Sequence, residues 1–302
     1  MLNDTPNKPL VWNLVTLTLA PSYEEFASSL LFDLGTIGTI TLEEATDRIE
    51  LGAYFEESVD PASIATTIKA EFARSGRSQD LLAVSFSAVP DSDWMQKWKE
   101  GFEPTTIGKR LLIAPSWRLP EDAEGRQVIQ IDPGMAFGTG THETTRLCLE
   151  LIERYWRGGF LLDVGTGTGI LAIAAALLQP DSRIVAIDVD PVAVEVAREN
   201  TAINGVTNHV SVLEEQPGNL RAQSFDVVVA NLTAEVIVDL MANLVACLKP
   251  DGWMILSGIL NELIDDVERA AGEAELKVIE RKKAGEWSAV VARYSRFVMP
   301  DS

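Results

Sequence analysis

Residues Phe160 to Ile170 read F-L-L-D-V-G-T-G-T-G-I, and this stretch decides the fold of the C-terminal part of the chain. An apolar run ends at Asp163, glycine then occupies every second position from Gly165 to Gly169, and a run rich in alanine and leucine follows. This pattern predicts a strand, a tight turn and a helix. Because glycine has no Cβ atom, the turn can bring its backbone and the first amides of the helix directly against a ligand.

The spacing of the glycines distinguishes between nucleotide ligands. A dinucleotide fingerprint reads G-x-G-x-x-G and places a pyrophosphate on the helix N-terminus. This chain has the tighter G-x-G-x-G, at Gly165, Gly167 and Gly169, with Asp163 two positions before the first glycine. The tighter motif resembles that of class I S-adenosylmethionine-dependent methyltransferases. A glycine-rich turn that binds no such ligand is the alternative.

Strands and helices alternate along the chain after this turn. The residue pattern predicts strands over 183–188, 209–213, 225–230 and 253–258, a closing pair of strands over 276–281 and 287–294, and helices over 191–203, 235–248 and 262–271. Such alternation is typical of a mostly parallel sheet with helices on both faces, which binds ligands at the carboxyl ends of its strands. Asp163, Asp188 and Asn231 all fall at such ends.

Asp188 ends the second strand of this series, 19 residues after Gly169. A carboxylate at this place can accept hydrogen bonds from both ribose hydroxyls of an adenosine, and a dehydrogenase uses an acidic residue at the same place. Asp188 therefore predicts an adenosine ligand without choosing between cofactors. A helix-capping role is the alternative, and it fits Asp190, directly before Pro191, better than Asp188.

Asn231 follows the apolar strand F-D-V-V-V-A. Its place resembles that of the asparagine in the N-P-P-[YF] motif of amine and amide methyltransferases, whose side-chain oxygen accepts a hydrogen bond from the nitrogen to be methylated. Leu232 and Thr233 stand here instead of the prolines. Without the proline-aromatic platform, we expect a wider site that suits a flexible aliphatic amine.

A second glycine-rich segment, I-D-P-G-M-A-F-G-T-G-T-H-E-T-T at 131–145, precedes a predicted helix. We interpret it as a lid or wall of the ligand pocket, with helix capping as the alternative for Thr144 and Thr145. His142 is the nearest candidate for a general base, but a structural hydrogen bond within this segment is the favoured interpretation.

The first 89 residues predict a separate domain. Their pattern reads βαββαβ, with strands over 10–20, 36–42, 48–55 and 81–88 and helices over 21–34 and 60–75, which fits a ferredoxin-like α+β arrangement. They contain 13 acidic and five basic residues, a balance of −8. Recognition of a basic protein and a purely structural role are both open. Residues 90–131, with Trp94, Trp98, Trp117 and several prolines, are expected to form a linker segment that packs against the domains.

Composition narrows the function classes. The formal net charge of −20 argues against binding of bare nucleic acid through its phosphates. The chain has two cysteines and two histidines, too few for a zinc site or a disulfide framework, so no metal is expected. No uncharged apolar run reaches 18 residues and the N-terminus does not resemble a secretory signal, so the sequence predicts a cytoplasmic protein with no membrane segment.

Taken together, the motifs resemble one family, the ribosomal protein L11 methyltransferases. The resemblance rests on W-x3-W-K-x2-F-x-P at 94–104, the 131–145 segment, D-V-G-T-G-T-G-I-L-A-I-A at 163–174, D-x-D-P at 188–191, A-N-L at 230–232, L-S-G-I-L at 256–260 and G-E-W at 285–287. The family commonly has G-C-G-S-G where this chain has G-T-G-T-G. The N-terminal domain matches by length and pattern more than by residues.

This resemblance implies an N-terminal ferredoxin-like domain (1–89) that recognises ribosomal protein L11. It also implies a Rossmann-like α/β methyltransferase domain (132–302) with a closing antiparallel strand, which methylates the α-amine and lysine ε-amines of L11 using S-adenosyl-L-methionine. The implied contacts of this methyl donor are Thr145, Gly165, Gly167, Asp188 and Asn231, with Phe137 and Gly138 nearby, and Asn231 is the implied catalytic residue.

Three alternatives stay open at this point. One is an N-methyltransferase of another protein or of a small-molecule amine. The second is a scaffold that binds S-adenosylmethionine without catalysis, which would leave Asn231 without a purpose. The third is a nicotinamide-dependent oxidoreductase, which the glycine spacing disfavours because the third glycine would have to stand one residue later.

Overall fold

The structure, a computed structural model, describes residues 11–36, 38–45, 47–56, 59–75, 79–90, 103–132 and 142–294. Residues 11–90 and Glu103 of this set cluster in one compact unit, and residues 104–132 and 142–294 cluster in a second. Residues 104–131, which the sequence assigned to a linker, therefore belong to the second unit. Trp94 and Trp98 lie outside the described residues, whereas Trp117 is half-buried.

The first unit has the predicted βαββαβ order of elements. Its elements are β1 (Val11–Leu19), α1 (Glu24–Asp33), β2 (Gly38–Glu44), β3 (Ile49–Glu56), α2 (Pro61–Arg74) and β4 (Leu81–Pro90). The four strands form an antiparallel sheet in the order β2-β3-β1-β4.

The alternation of apolar residues in β1 explains the core of this unit. Val15, Leu17 and Leu19 are fully buried and pack with Ile68 and Phe72 of α2. Every second side chain of a strand lies on the same face, so this stripe draws the helix onto one side of the sheet. The side chain of Asp60 begins α2 by accepting a hydrogen bond from the Ala62 amide at 3.1 Å.

Three short strands that the sequence did not predict follow in the second unit. They are β5 (Thr105–Ile107), β6 (Leu111–Ala114) and β7 (Gln127–Gln130), and they form a small sheet of their own. Ile107, Leu111 and Ile129 are fully buried in the core of the second unit. A strand of three or four residues is too short to show an alternating pattern, so only the tertiary fold reveals it.

The second unit otherwise alternates as predicted. Its further elements are α3 (Glu143–Tyr155), β8 (Phe160–Val164), α4 (Ile170–Leu178), β9 (Arg183–Asp188), α5 (Pro191–Ile203), β10 (Val210–Glu214), β11 (Phe225–Asn231), α6 (Ala234–Cys247), β12 (Leu248–Leu260), α7 (Ile264–Glu273), β13 (Leu276–Ala284) and β14 (Trp287–Tyr294). The sheet order is β10-β9-β8-β11-β12-β14-β13. The five strands from β10 to β12 run parallel, and β14 is antiparallel to both of its neighbours.

The strand order reverses at the centre of this sheet. The chain runs outward from β8 to β9 and β10, and then returns to the other side of β8 as β11. Apolar side chains cover both faces, with Leu161 and Val229 in one buried cluster and Leu162 and Val228 in the other. A reversal of this kind opens a crevice at the carboxyl ends of the strands, where β8, β9 and β11 end.

Candidate functional site

The glycine turn between β8 and α4 has the backbone that its sequence requires. Gly165, Gly167 and Gly169 have φ values of +69°, +52° and +81°, a region that residues with a Cβ atom rarely adopt. The amides of Gly165 and Thr166 donate to the carbonyl oxygen of Ile187 at 2.9 and 3.0 Å. The turn is thereby tied to the end of β9, and Gly165 and Gly167 stay partly exposed at the crevice.

Asp188 fixes the same turn from the end of β9. Its Oδ2 accepts a hydrogen bond from the Gly167 amide at 2.9 Å, and its Oδ1 accepts one from the Asp190 amide at 3.1 Å. A carboxylate accepts about four hydrogen bonds, so Asp188 keeps the capacity to bind two hydroxyls of a ligand. Asp190 caps α5 by accepting from the Val192 amide at 2.9 Å, which confirms its assignment as the capping residue.

Asp163 lies beneath the turn and is fully buried. Its Oδ2 accepts a hydrogen bond from the Thr166 hydroxyl at 2.6 Å, while its Oδ1 has no hydrogen-bond partner within the part of the chain that the structure describes. The net pKa of Asp163 is raised to about 7, chiefly by burial and also by the charge of Asp188, while the Thr166 hydroxyl and the Ala172 amide lower it. Asp163 thus supports the turn from below rather than facing the crevice.

His142 has a structural role at the start of α3. Its Nδ1 accepts a hydrogen bond from the Thr144 amide at 3.3 Å and lies 2.7 Å from the Thr144 hydroxyl oxygen. Its ring also makes an edge-to-face contact with Trp287, with ring centroids 5.2 Å apart. The structure therefore confirms the structural hydrogen bond that the sequence favoured for His142.

Asn231 ends β11 opposite the start of α3. Its side-chain Nδ2 lies 3.5 Å from the hydroxyl oxygen of Thr145, which is buried at the third residue of that helix. The fold therefore brings together two predicted site residues that are 86 positions apart. Asn231 is half-buried.

Leu232, directly after Asn231, packs between two glycines. A Cβ atom on Gly165 would overlap the Leu232 side chain, and one on Gly258 would overlap the Leu232 carbonyl group. Gly258 has a φ of +85°. Leu232 therefore contacts the glycine turn directly, and the wider acceptor site expected from its sequence stays a prediction.

The structure thus gathers Thr145, Gly165, Gly167, Asp188 and Asn231 at one edge of the sheet. Phe137 and Gly138 lie outside the described residues, as does most of the segment interpreted as a lid or wall.

Two residues that support the site, Thr166 and Ser257, were not among the residues predicted from the sequence. Thr166 was detectable as the small polar residue between two turn glycines, and Ser257 stands in the L-S-G-I-L motif at 256–260, which gives no role to its side chain.

The glycine turn and Asp188 together fit a ligand that contains adenosine. The glycine turn admits a ligand against its backbone, and Asp188 offers acceptors for hydroxyl groups. Within the described ranges, no group of three or more His, Cys, Asp and Glu residues is arranged to hold a metal ion. No helix in those ranges is long and apolar enough to cross a membrane.

Comparison with known proteins places these features in one family. The family model described as ribosomal protein L11 methyltransferase (PrmA) matches residues 12–295. A ribosomal protein L11 methyltransferase of Caldicellulosiruptor saccharolyticus is 36% identical over 303 residues, which cover 93% of this chain and 99% of that protein. The protein of the same description from Pelobacter propionicus is 39% identical over 306 residues, covering 93% and 97%.

A solved structure supports the same fold. The ribosomal protein L11 methylase of Lactobacillus delbrueckii subsp. bulgaricus matches with a TM-score of 0.60 and 31% identity, covering 65% of this chain and all of that chain. The parallel sheet with its closing antiparallel strands is therefore a Rossmann-like α/β fold of the class I methyltransferase type.

Proposed function

This chain belongs to the ribosomal protein L11 methyltransferase family, and we propose that it transfers methyl groups from S-adenosyl-L-methionine to the α-amine and lysine ε-amines of ribosomal protein L11. The observation that carries this proposal is the position of Asn231. Its amide group lies at the end of β11, next to Leu232, whose side chain packs on the glycine turn. A group that can hold an acceptor nitrogen thus stands beside the turn that would hold the donor.

Five of the described residues would hold the donor in this proposal. Gly165 and Gly167 would present their backbone to it, Asp188 would accept from its ribose hydroxyls, and Thr145 and Asn231 would border its reactive end. The resemblance to the family motif implies that Phe137 and Gly138 would also lie near the methyl donor. When bound, S-adenosyl-L-methionine supplies an electrophilic methyl group on its sulfonium sulfur.

The acceptor amine has to reach the site without its proton, because its lone pair forms the new bond to the methyl carbon. The bond from that carbon to the sulfonium sulfur would break at the same time, and the sulfur would leave as a neutral thioether. The pKa of a free lysine is about 10.4, so a neutral amine near pH 7 costs roughly 4 kcal/mol. Desolvation in the crevice would offset part of this cost. Asn231 would hold the nitrogen in line with the methyl carbon, and this proximity would lower the activation barrier of the transfer.

The proposed source of the rate enhancement is therefore positioning of the acceptor amine rather than general base catalysis. His142 is engaged at the start of α3 through its Nδ1 atom and through its contact with Trp287. The Asn231 side chain cannot take up a proton at neutral pH, so its contribution would be to accept, through its side-chain oxygen, a hydrogen bond from the N–H of the acceptor amine. The proton of the amine leaves to solvent in this proposal.

We further infer that the first unit is a ferredoxin-like domain that binds L11. The βαββαβ order and the antiparallel strand order β2-β3-β1-β4 support the fold. The balance of −8 over residues 1–89 favours a basic protein partner over nucleic acid, because opposite charges steer association. Action on a ribosomal protein would place the enzyme in the cytoplasm.

Transfer of a labelled methyl group tests the proposal. Purified protein, labelled S-adenosyl-L-methionine and purified L11 are incubated together, and mass spectrometry locates the modified amines. The Asn231→Ala variant serves as the matched control for label that does not depend on the site. Label at the L11 N-terminus and at lysines is expected. Binding of the donor without label on L11, together with label on another protein or amine, would instead support a different N-methyltransferase.

A further inference from the structure

Ser257 lies in β12 directly beside Asn231, its register partner on β11. Its side chain is fully buried. The register between β12 and β14 shifts between Leu256 and Ile259, so Ser257 and Gly258 together oppose a single residue of β14. This is a β-bulge, an irregularity that often re-aims a side chain next to an active site.

Ser257 contacts both segments that carry the acceptor side of the site. Its carbonyl oxygen accepts a hydrogen bond from the Leu232 amide at 3.0 Å, directly after Asn231. Its hydroxyl lies 3.2 Å from the carbonyl oxygen of Thr144, directly before Thr145. The carbonyl oxygen of Ser288 lies farther away, at 3.5 Å. Since a hydroxyl has one proton to donate, the nearer Thr144 carbonyl is the better acceptor.

The contact between Asn231 and Thr145 does not fix its own geometry. The separation of 3.5 Å between Asn231 Nδ2 and Thr145 Oγ1 is at the outer limit of a hydrogen bond. The two shorter hydrogen bonds of Ser257 join the neighbours of these residues instead. Because Ser257 and Thr144 are buried, the hydrogen bond between them is protected from competition with water, and together the two bonds hold the end of β11 against the start of α3.

We propose that Ser257 is a positioning residue for methyl transfer, which sets the separation of the Asn231 amide and the Thr145 hydroxyl by joining Leu232 to Thr144. It acts through Asn231, so the inference rests on the proposed role of that residue. A group-transfer step depends steeply on alignment, and a displacement of about 1 Å costs about 100-fold in rate. Loss of the hydroxyl removes one of the two links and leaves the backbone of the strand in place.

The test compares two buried serines. Ser257→Ala is expected to lower kcat for methylation of L11 about ten-fold while the Kd for S-adenosyl-L-methionine changes less than about two-fold. Ser288→Ala is the matched control. Ser288 is also fully buried, but its hydroxyl donates to Asn261 Oδ1 at 2.6 Å and it keeps the carbonyl group near Ser257. The kcat of the Ser288→Ala variant is expected to stay within about two-fold of the parent value.

A double-mutant cycle separates positioning from a general loss of stability. In the Asn231→Ala background, Ser257→Ala is expected to lower kcat less than about two-fold further, since its effect passes through Asn231. If the double variant lost kcat by the product of the two single-variant factors, the proposed role of Ser257 would be wrong. It would also be wrong if Ser288→Ala lost as much kcat as Ser257→Ala. If Asn231→Ala left kcat unchanged, the proposed role of Asn231 would fail first, so the two failures are distinguishable.

A second variant covers the case in which Ser257→Ala does not fold. Ser257→Cys keeps a side chain of similar size but replaces the hydroxyl by a weak donor. Under reducing conditions, its kcat is expected to fall to a value between those of the parent and Asn231→Ala. A kcat equal to that of the parent would overturn the proposal.

Discussion

Asp188 Oδ2 accepts a hydrogen bond from the backbone amide of Gly167 at 2.9 Å, although Gly167 lies 21 residues earlier in the chain. The residue that would bind the ribose thus also holds the turn that would face the rest of the ligand. Loss of this carboxylate should therefore weaken ligand binding in two ways, through the missing acceptor and through a looser turn.

We expect Asp188→Ala to raise the Kd for S-adenosyl-L-methionine by about 100-fold, because hydrogen bonds to a charged acceptor contribute about 1.5–3 kcal/mol each. Isothermal titration calorimetry measures this directly. Asp190→Ala is the control, since it removes the cap of α5 two residues away and should lower thermal stability while the Kd stays within about three-fold. A similar rise of the Kd in both variants would contradict a direct role of Asp188.

Asn231→Ala should separate catalysis from binding. We expect kcat for L11 methylation to fall by about 100-fold, because the acceptor nitrogen loses the group that aligns it. The Kd for S-adenosyl-L-methionine should change far less. Single-turnover kinetics together with calorimetry give both quantities. Equal losses in kcat and in donor affinity would show that Asn231 serves the donor instead.

Removal of residues 1–89 should abolish methylation of intact L11 and leave donor binding intact. The glycine turn, Asp188, Thr145 and Asn231 all belong to the second unit, and among the described residues its two large buried clusters contain none before Ile107. Methylation assays and calorimetry on the truncated chain test both statements, and circular dichroism verifies that it is folded. Unchanged methylation of L11 would refute a recognition role for the first unit.

Asp163 should make stability depend on pH in an unusual direction. Burial raises the pKa of Asp163 to about 7, above the value of about 3.9 for an unfolded chain. Between these values the folded state binds the proton and the unfolded state does not, so this contribution to stability is present below pH 4 and is lost as the pH rises through 7. The neutral side chain of Asp163→Asn removes this dependence.

The free energy of unfolding of Asp163→Asn, taken relative to the parent, should therefore rise by about 2 to 3 kcal/mol between pH 5 and pH 8. Urea denaturation at several pH values measures this difference. Asp181→Asn, at an exposed carboxylate, is the control and should leave the relative stability constant over the same range. A flat difference for Asp163→Asn would mean that the buried carboxylate is not the group responsible.

Two glycines should respond oppositely to alanine. Gly258 has a φ of +85°, and a Cβ atom there would overlap the Leu232 carbonyl, so Gly258→Ala should lower the free energy of unfolding by about 2 to 4 kcal/mol. Gly272 lies in α7 with no atom within 4 Å of an added Cβ. Gly272→Ala should therefore raise stability by about 0.5 to 1 kcal/mol. Chemical denaturation distinguishes the two, and a neutral Gly258→Ala would show that the bulge can rearrange.

Most of the fold could be predicted from local patterns. The strand over 183–188 and the helix over 191–203 have the predicted bounds, because an apolar run ends at Asp188 and Pro191 then begins a helix that Asp190 caps. The small sheet of β5, β6 and β7 escaped prediction, since its strands are too short to show a period and depend on burial against the rest of the second unit. The assignment of 104–131 to a linker followed from the prolines and tryptophans, which do not reveal that Ile107 and Ile129 are buried.

The sequence by itself determined the glycine turn and the carboxylate after the next strand, because both depend on spacing along one βαβ unit. The tertiary structure alone decided what supports them. Asp163 has an ordinary place in the motif, and its complete burial in the fold, together with the charge of Asp188, raises its pKa. Asn231, Thr145 and Ser257 come from three distant segments, and the order of strands in the sheet brings them together. A local residue pattern determines the backbone dihedral angles of a segment and which side of it is apolar. Contacts across a sheet depend on the order of the strands, and no short stretch of sequence specifies that order.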